Sequence, residues 1–351
     1  MSNKDIMSLA RPCIRNLEPY STARDEYKGG LGVFLDANES PFPGLWNRYP
    51  DPRQTELKQV ISRIKGIGVE NIFLGNGSDE AIDLLIRIFC EPGKDNIAAI
   101  SPSYGMYSVA AAINDVEFRS IPLSEDDFSF TAEDVRRVCD PHTKLLFLCS
   151  PNNPSGNAYR RSDILGIAEE FCGLVVVDEA YVDFSSEPGL LPLVAANPGI
   201  VVLQTMSKAR GLASLRLGMA FACEQTIRLM SMVKYPYNIS GATQKAALEA
   251  LKTDICPQVQ ATIRQRQRLS EALPAFSCVK KVWPSEANFL LVRVDDADAL
   301  YAHLIADGII VRNRSRVKGC KGCLRITVGL EEENDKLLSS LQDYEKGNIR
   351  G

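Results

Sequence analysis

The fold is read from "KLLFLCSPNNPSGNAYRRSDILGIAEEFCGLVVVDEAY", residues 144–181. Two runs in it, Leu145–Cys149 and Leu174–Val177, are apolar at every position. A strand with one wet face alternates apolar and polar residues; a strand covered on both faces does not. Between the runs, "SDILGIAEEF" has apolar residues at helical spacing, and Ser162 is expected to cap it. Buried strand, helix, buried strand is the repeating unit of a parallel sheet with helices on both faces.

The same alternation continues on either side. "NIAAIS" (96–101) and "GIVVLQT" (199–205) read as further buried strands, and "PSYGMYSVAAAI" (102–113) as a turn and helix. "GNGSDEAIDLLIRIFCEPG" (75–93) is a glycine loop running into a helix. That helix carries Ile82, Leu85, Ile86 and Phe89 on one face and stops at Pro92-Gly93. Past residue 235 the character changes. "KYPYNIS" (234–240) is a proline-bearing joint, and helices are expected after it in "GATQKAALEALK" and "QVQATIRQRQRLSEALPAF". "ANFLLVRV", "GIIVRNR" and "CLRITVG" read as strands, mixed with the helices "ADALYAHLIADG" and "EENDKLLSSLQDY". The expected division is an N-terminal arm (1–35) packing with the small domain, a large α/β domain (36–237) and a small α+β domain (238–351).

Bulk properties exclude several functions. Across 351 residues the net charge is −4 with no block of one sign, which gives no basic face for nucleic acid. No run approaches the ~18 apolar residues that span a bilayer, and charges break the N-terminus too often for a signal-peptide core. The ten cysteines are scattered, several inside apolar runs, and read as reduced thiols of a cytoplasmic protein. Cys320 and Cys323 form a C-x-x-C, but no second pair completes a zinc site. The two histidines, His142 and His303, sit in plain contexts, so no metal and no histidine triad is expected.

Ligands of open parallel sheets bind beyond the carboxyl ends of the strands. Three of these strands end in polar residues: Asn152-Asn153-Pro154-Ser155-Gly156, then Asp178-Glu179-Ala180-Tyr181, then Ser207-Lys208. If the strands are neighbours, an amide, a carboxylate, a phenol and an amine meet in one crevice. The glycine loop Gly75 to Glu80 adds a helix N-terminus, with free N–H groups and a positive dipole end. Singly, each has a plain reading: the proline-asparagine run as a turn, Asp178 as a helix cap, Lys208 and Arg216 as solvated charges. Their joint occurrence at strand ends favours a site.

These residues, in this order, resemble fold-type I pyridoxal-phosphate enzymes, the aspartate aminotransferase superfamily. The resemblance runs through "LEPYSTAR", "LDANESPFP", "NRYPDP", "GNGSDEAIDLLIRIFCEPG", "PSYGMYSV", "SPNNPSG", "VVDEAYVDF", "SKARGLASLRLG" and "CLRITVG". It narrows to the histidinol-phosphate aminotransferases through "NRYPDP", "FCEPG", "PSYGMY" and "LRITVG". Related decarboxylases of the phosphothreonine type and aromatic aminotransferases are the alternatives; a non-catalytic cofactor-binding protein is a third.

The resemblance implies a seven-stranded, mostly parallel sheet, pyridoxal 5'-phosphate as cofactor, and a homodimer. It implies that Lys208 holds the cofactor aldehyde as a Schiff base and then shuttles a proton. Asp178 would face the pyridine nitrogen, Tyr181 and Asn153 the phenolic oxygen, and Tyr104 the ring face. The cofactor phosphate would rest on the N–H groups of Ser78 and Asp79, on Ser207 and on Arg216, which leaves the Asp79 side chain free to point away. Tyr49 would reach the phosphate of a neighbouring subunit. Arg325 would bind the α-carboxylate of glutamate or 2-oxoglutarate, Arg312 the substrate phosphate, and Tyr20 would close over the site, with Asn153 also touching substrate. A cis bond at Asn153-Pro154 is part of the same expectation. Two departures, Ser155 for a usual threonine and Ser78 for a usual alanine, retain or add a hydroxyl.

Overall fold

The computed structural model of the chain describes residues 4–20 and 32–349. Seven strands form one sheet: β1 (Ile72–Asn76), β2 (Asn96–Ser101), β3 (Glu117–Pro122), β4 (Thr143–Cys149), β5 (Leu174–Asp178), β6 (Ile200–Thr205) and β7 (Leu217–Phe221). Their order is β1-β7-β6-β5-β4-β2-β3. The pairs β3–β2, β2–β4, β4–β5 and β5–β6 are parallel, while β7 is antiparallel to both β6 and β1.

The apolar strands are covered on both sides, as their composition requires. Leu146, Leu148, Val175, Val177 and Val202 point into one core, with Leu57, Ile164, Ile167 and Val194. Leu145, Phe147, Leu174, Val176, Val201 and Leu203 point into the other, with Ile82, Leu85, Phe89 and Met230. Alternate residues therefore go to opposite faces, each burying an aliphatic side chain worth about 1.5–3 kcal/mol.

A second, antiparallel sheet has the order β10-β11-β9-β8: β8 (Val279–Val282), β9 (Phe289–Val294), β10 (Arg312–Asn313) and β11 (Cys323–Thr327). Leu290, Val292, Leu324 and Ile326 pack there against Leu300, Leu304, Leu337 and Leu341 from the helices Ala297–Ala306 and Glu331–Ile349. "GIIVRNR" pairs over less of its length than its composition suggests.

Three local readings change. The helix at 161–170 begins at Arg161 with no side-chain cap, so Ser162 lies within its first turn. The free N–H of Arg161 is taken by the Glu187 carboxylate at 2.9 Å, a partner distant in sequence. Described residues of the arm pack on the large sheet's core: Ile6 and Ala10 are buried with Ile227 and Met230, and the Lys4 amine donates to Ala168 and Gly173 carbonyls. Their apolar side chains find the exposed flank of the Glu224–Val233 helix instead of the smaller sheet. Residues 21–31 lie outside the described part. After the proline joint, Ile239, Ala247 and Leu251 also bury in the large core.

Candidate active site

β4, β5 and β6 are neighbours and parallel, so their carboxyl ends form one rim: Cys149 pairs with Asp178, and Asp178 with Leu203. β7 runs the other way, so its beginning meets the same rim. Thr205 pairs with Gly218, and Asn76 at the end of β1 pairs with Leu217. That reversal brings Arg216, just before β7, beside the start of the Gly77–Phe89 helix, where the Gly77 N–H donates to the Arg216 carbonyl at 2.7 Å. The approach requires two glycines. Gly77 sits at φ +73, and a Cβ on Gly218 would lie 2.1 Å from the Ser78 nitrogen.

The rim borders a cavity of about 520 Å³. Ser78, Asp79, Tyr104, Asn153, Asp178, Tyr181, Ser207, Lys208, Arg216, Arg312 and Arg325 line it. Tyr20 and Tyr49 do not. Tyr20 borders a separate groove of about 710 Å³ with Pro52, Arg53 and Lys58, near the chain leading into β1. Tyr49 stacks on Tyr237 with ring centroids 4.5 Å apart.

Each polar group at the strand ends is held by a partner. Asp178 is almost fully buried; its Oδ2 accepts from the Tyr107 hydroxyl at 2.7 Å and its Oδ1 from the Ala180 N–H at 3.1 Å. Burial pushes its carboxyl above the ordinary range, and the Tyr107 and Ala180 hydrogen bonds oppose that shift. Tyr107 stacks on Phe147 and meets Tyr104 edge-on, so the ring wall is rigid. Asn153 lies 3.5 Å by its amide nitrogen from the Tyr181 hydroxyl, and its Oδ1 accepts from Arg325 and Arg314. Fully buried Asn152 supports this loop: its Nδ2 donates to Pro102 and Ser155, and its Oδ1 accepts from Ser103. The Asn153–Pro154 bond is cis, as are Ser150–Pro151 and Ser101–Pro102.

Lys208 opens onto the cavity and keeps considerable exposed area, yet its amine sits 5.5 Å from the centre of the Tyr181 ring. Desolvation by the walls, then the Arg325 guanidinium, hold the amine below the ordinary lysine range. Asp79 departs from expectation. Its Oδ1 accepts from the Tyr104 hydroxyl at 3.0 Å and its Oδ2 lies 3.5 Å from Arg216 Nη2, so the side chain faces the site. The nearest cation and phenol draw it inward, while its N–H remains at the helix start.

Sequence reasoning overlooked Tyr107, Thr205 and Arg314. Tyr107 lies in the first turn of the Met106–Ile113 helix, three residues after Tyr104, which precedes that helix. Arg314 stands two residues after Arg312, the spacing of one strand face.

A model of the family "Aminotransferase class I and II" matches residues 37–341. The histidinol-phosphate aminotransferase of Parabacteroides distasonis is 52% identical over 344 residues, covering 97% of this chain and 99% of that protein. The chain belongs to the class I and II aminotransferases. Among solved structures, the histidinol-phosphate aminotransferase of Clostridium acetobutylicum superposes with TM-score 0.77 at 23% identity, over 86% of this chain and 91% of that one. The Sinorhizobium meliloti histidinol-phosphate aminotransferase in complex with pyridoxal-5'-phosphate gives 0.75 at 23%, over 84% and 82%. At such identity these two bear on the fold, which is that of fold-type I.

This aminotransferase is therefore a pyridoxal-phosphate-dependent enzyme, and the cavity fits that group. Its donors suit a phosphate: a helix start brought close by Gly77 and Gly218, beside Ser207 and the fork of Arg216. Its far wall offers a flat aromatic, Tyr104, and a buried carboxylate, Asp178, whose raised state calls for a cationic partner. Among the described residues, no cluster of histidine, cysteine and carboxylate groups could hold a metal ion.

Proposed function

We propose that the chain is a histidinol-phosphate aminotransferase, moving an amino group between histidinol phosphate and 2-oxoglutarate in histidine biosynthesis. The observation that carries this reading is the anionic-end pocket. Arg312 and Arg325 face each other across β10 and β11 and open onto the same cavity as Lys208 and Asp178. A guanidinium accepts a carboxylate or a phosphate in the same forked geometry, so one pocket serves both substrates in turn.

Bound pyridoxal phosphate supplies an aldehyde for the substrate amine and a ring that takes up the electron pair released at the α-carbon. Around it, Ser78, Asp79, Ser207 and Arg216 would hold the phosphate. Asp178 would hold a proton at the pyridine nitrogen, with Tyr107 orienting the carboxylate. Tyr181 and Asn153 would face the phenolic oxygen, and Tyr104 would fix the ring's tilt. Lys208 Nζ, already below the ordinary lysine range, would take the proton from the amine-bearing carbon of the substrate and deliver it to the carbon of the cofactor's aldehyde group.

A shared dimeric site is part of this proposal. Val33, Leu35, Phe42, Leu45 and Trp46 are all exposed large apolar residues in one short segment, a surface that suits a second copy of the chain. Tyr49, at the end of that segment, would then reach the partner's cofactor phosphate, and Tyr20, which does not line the cavity of its own chain, would close over the partner's site. All ten cysteines are free, in keeping with a reducing compartment, and we infer the cytoplasm. No described helix is long and apolar enough to cross a membrane.

The test is steady-state turnover of the holoenzyme with 2-oxoglutarate, using histidinol phosphate against phenylalanine. The expected outcome is a kcat/KM higher by at least about 100-fold for the phosphorylated substrate, the worth of two charge-assisted contacts. Equal turnover would indicate an aromatic aminotransferase, and release of CO2 in place of amino transfer a decarboxylase. Lys208→Ala is expected to lose more than about 10⁴-fold of that turnover.

A further inference from the structure

Arg312 and Arg325 are cross-strand partners, and a third guanidinium stands beside them. The Arg314 N–H donates to the Cys323 carbonyl at 2.8 Å, which continues the pairing of β10 with β11 by one residue. Arg314 therefore projects from the same strand face as Arg312 and lines the cavity with it. Its loop is braced by consecutive turns: Val317 N–H to Arg314 carbonyl, Cys320 to Val317, and Cys323 to Cys320. Cys320 and Cys323 are fully buried beneath it, and burial pushes the Cys320 thiol up to about 12. The C-x-x-C pair thus packs the loop that carries Arg314.

The side chain is undersupplied with acceptors. A guanidinium has five N–H donors. Arg314 makes one side-chain hydrogen bond, a long one of 3.4 Å from Nη2 to Asn153 Oδ1, and its buried Nε has no partner. The Arg325 Nε beside it is likewise buried and unpaired. No ion pair to a carboxylate is found for Arg312, Arg314 or Arg325 among the described residues. Burial, then the neighbouring Arg325 and Arg312 guanidiniums, disfavour the charged form of Arg314. Three guanidiniums without a counter-ion exceed what one carboxylate neutralises. A phosphate monoester carries ~1.5–2 negative charges at neutral pH and three acceptor oxygens.

We propose that Arg314 is a specificity-determining residue of the substrate pocket, the third guanidinium of its anion subsite, selecting a phosphate monoester over a carboxylate. The proposal rests on the histidinol-phosphate reading above. On this account, Arg325 suffices for the carboxylate of glutamate, and Arg314 Nε is satisfied only when the second, dianionic substrate is bound.

The measurement is kcat/KM of the holoenzyme for histidinol phosphate and for glutamate, in wild type, Arg314→Gln and Arg314→Lys. The ratio of the two constants is expected to fall by about 10- to 100-fold in Arg314→Gln, mainly through KM for histidinol phosphate; one charge-assisted hydrogen bond is worth this much. Arg314→Lys, which keeps the charge and loses the fork, should recover part of it. A merely structural role, such as bracing Asn153, lowers both constants together and leaves the ratio unchanged; that result overturns the proposal. Should Arg314→Gln fail to fold, the ratio is read from Arg314→Lys alone, where a drop of about 3-fold or more is expected and no change overturns it. A wild-type enzyme that converts glutamate but not histidinol phosphate sinks the functional reading itself, an outcome separable from an unchanged ratio in a wild type active on both.

Discussion

Asp178 carries an electrostatic cost that the protein alone does not offset. It is buried, its hydrogen bonds come from neutral donors, and desolvation raises its pKa. An acid with a raised folded pKa binds protons more readily folded than unfolded. Its contribution to stability therefore falls as pH climbs from the ordinary carboxylate value, about 3.9, through the raised one. In the cofactor-free protein, Asp178→Asn is expected to melt above wild type at neutral pH. The gap should shrink as pH falls toward ~4, where the wild-type carboxyl is already protonated. Thermal melts of both proteins across that range check this; a wild type as stable as the variant at neutral pH would contradict the assignment of cost. Tyr107 bears on the same group: its hydroxyl, with the Ala180 N–H, favours the charged form.

At the scale of elements, one strand reversal builds the phosphate end of the site. Were β7 parallel, Arg216 would lie at the opposite edge of the sheet from Lys208, although only seven residues separate them in "KARGLASLR". The close approach of β7 to the Gly77–Phe89 helix leaves no room for a side chain at Gly218, where a Cβ would also lie 2.2 Å from the Gly77 carbonyl carbon. Gly218→Ala is expected to cost about 1–3 kcal/mol of stability and to weaken pyridoxal-phosphate binding, because the helix start must retreat from Arg216. Urea denaturation reads the first effect and cofactor titration the second; an unperturbed affinity would separate the cradle from the packing. The helix at 161–170 likewise depends on a distant segment. The carboxylate at its start is that of Glu187, and no inspection of neighbouring sequence could have found it.

For the whole molecule, the cavity lies between two sheets. Asn153 on the loop after β4 accepts from Arg325 on β11, and Glu286 donates its N–H to the Gly156 carbonyl at 2.7 Å. We propose the division into a large and a small domain with the arm at the N-terminus, in which Ala247 and Leu251 side with the large core. Assembly is the remaining level. Trp46→Asp is expected to shift a dimer toward monomer by about 10-fold or more in dissociation constant, since it introduces an unpaired charge into an apolar contact. Sedimentation velocity reports it, and loss of activity should accompany dissociation if Tyr49 serves the partner's site. A wild-type chain that sediments as a monomer at micromolar concentration would refute the shared site.

The parallel core of the sheet was legible in the sequence because burial on both faces leaves uninterrupted apolar runs, and these strand ends carry Asn153, Asp178 and Lys208. The chemistry of those three groups could be read from their residue types and order. What only the tertiary structure decided depends on contacts between distant segments: the direction of β7, the inward turn of Asp79 toward Arg216 and Tyr104, the Tyr107 support of Asp178, and the third arginine with its partnerless Nε. Local pattern records which side chains a strand must bury. It does not record which partner will face a polar one, because that partner comes from elsewhere in the chain.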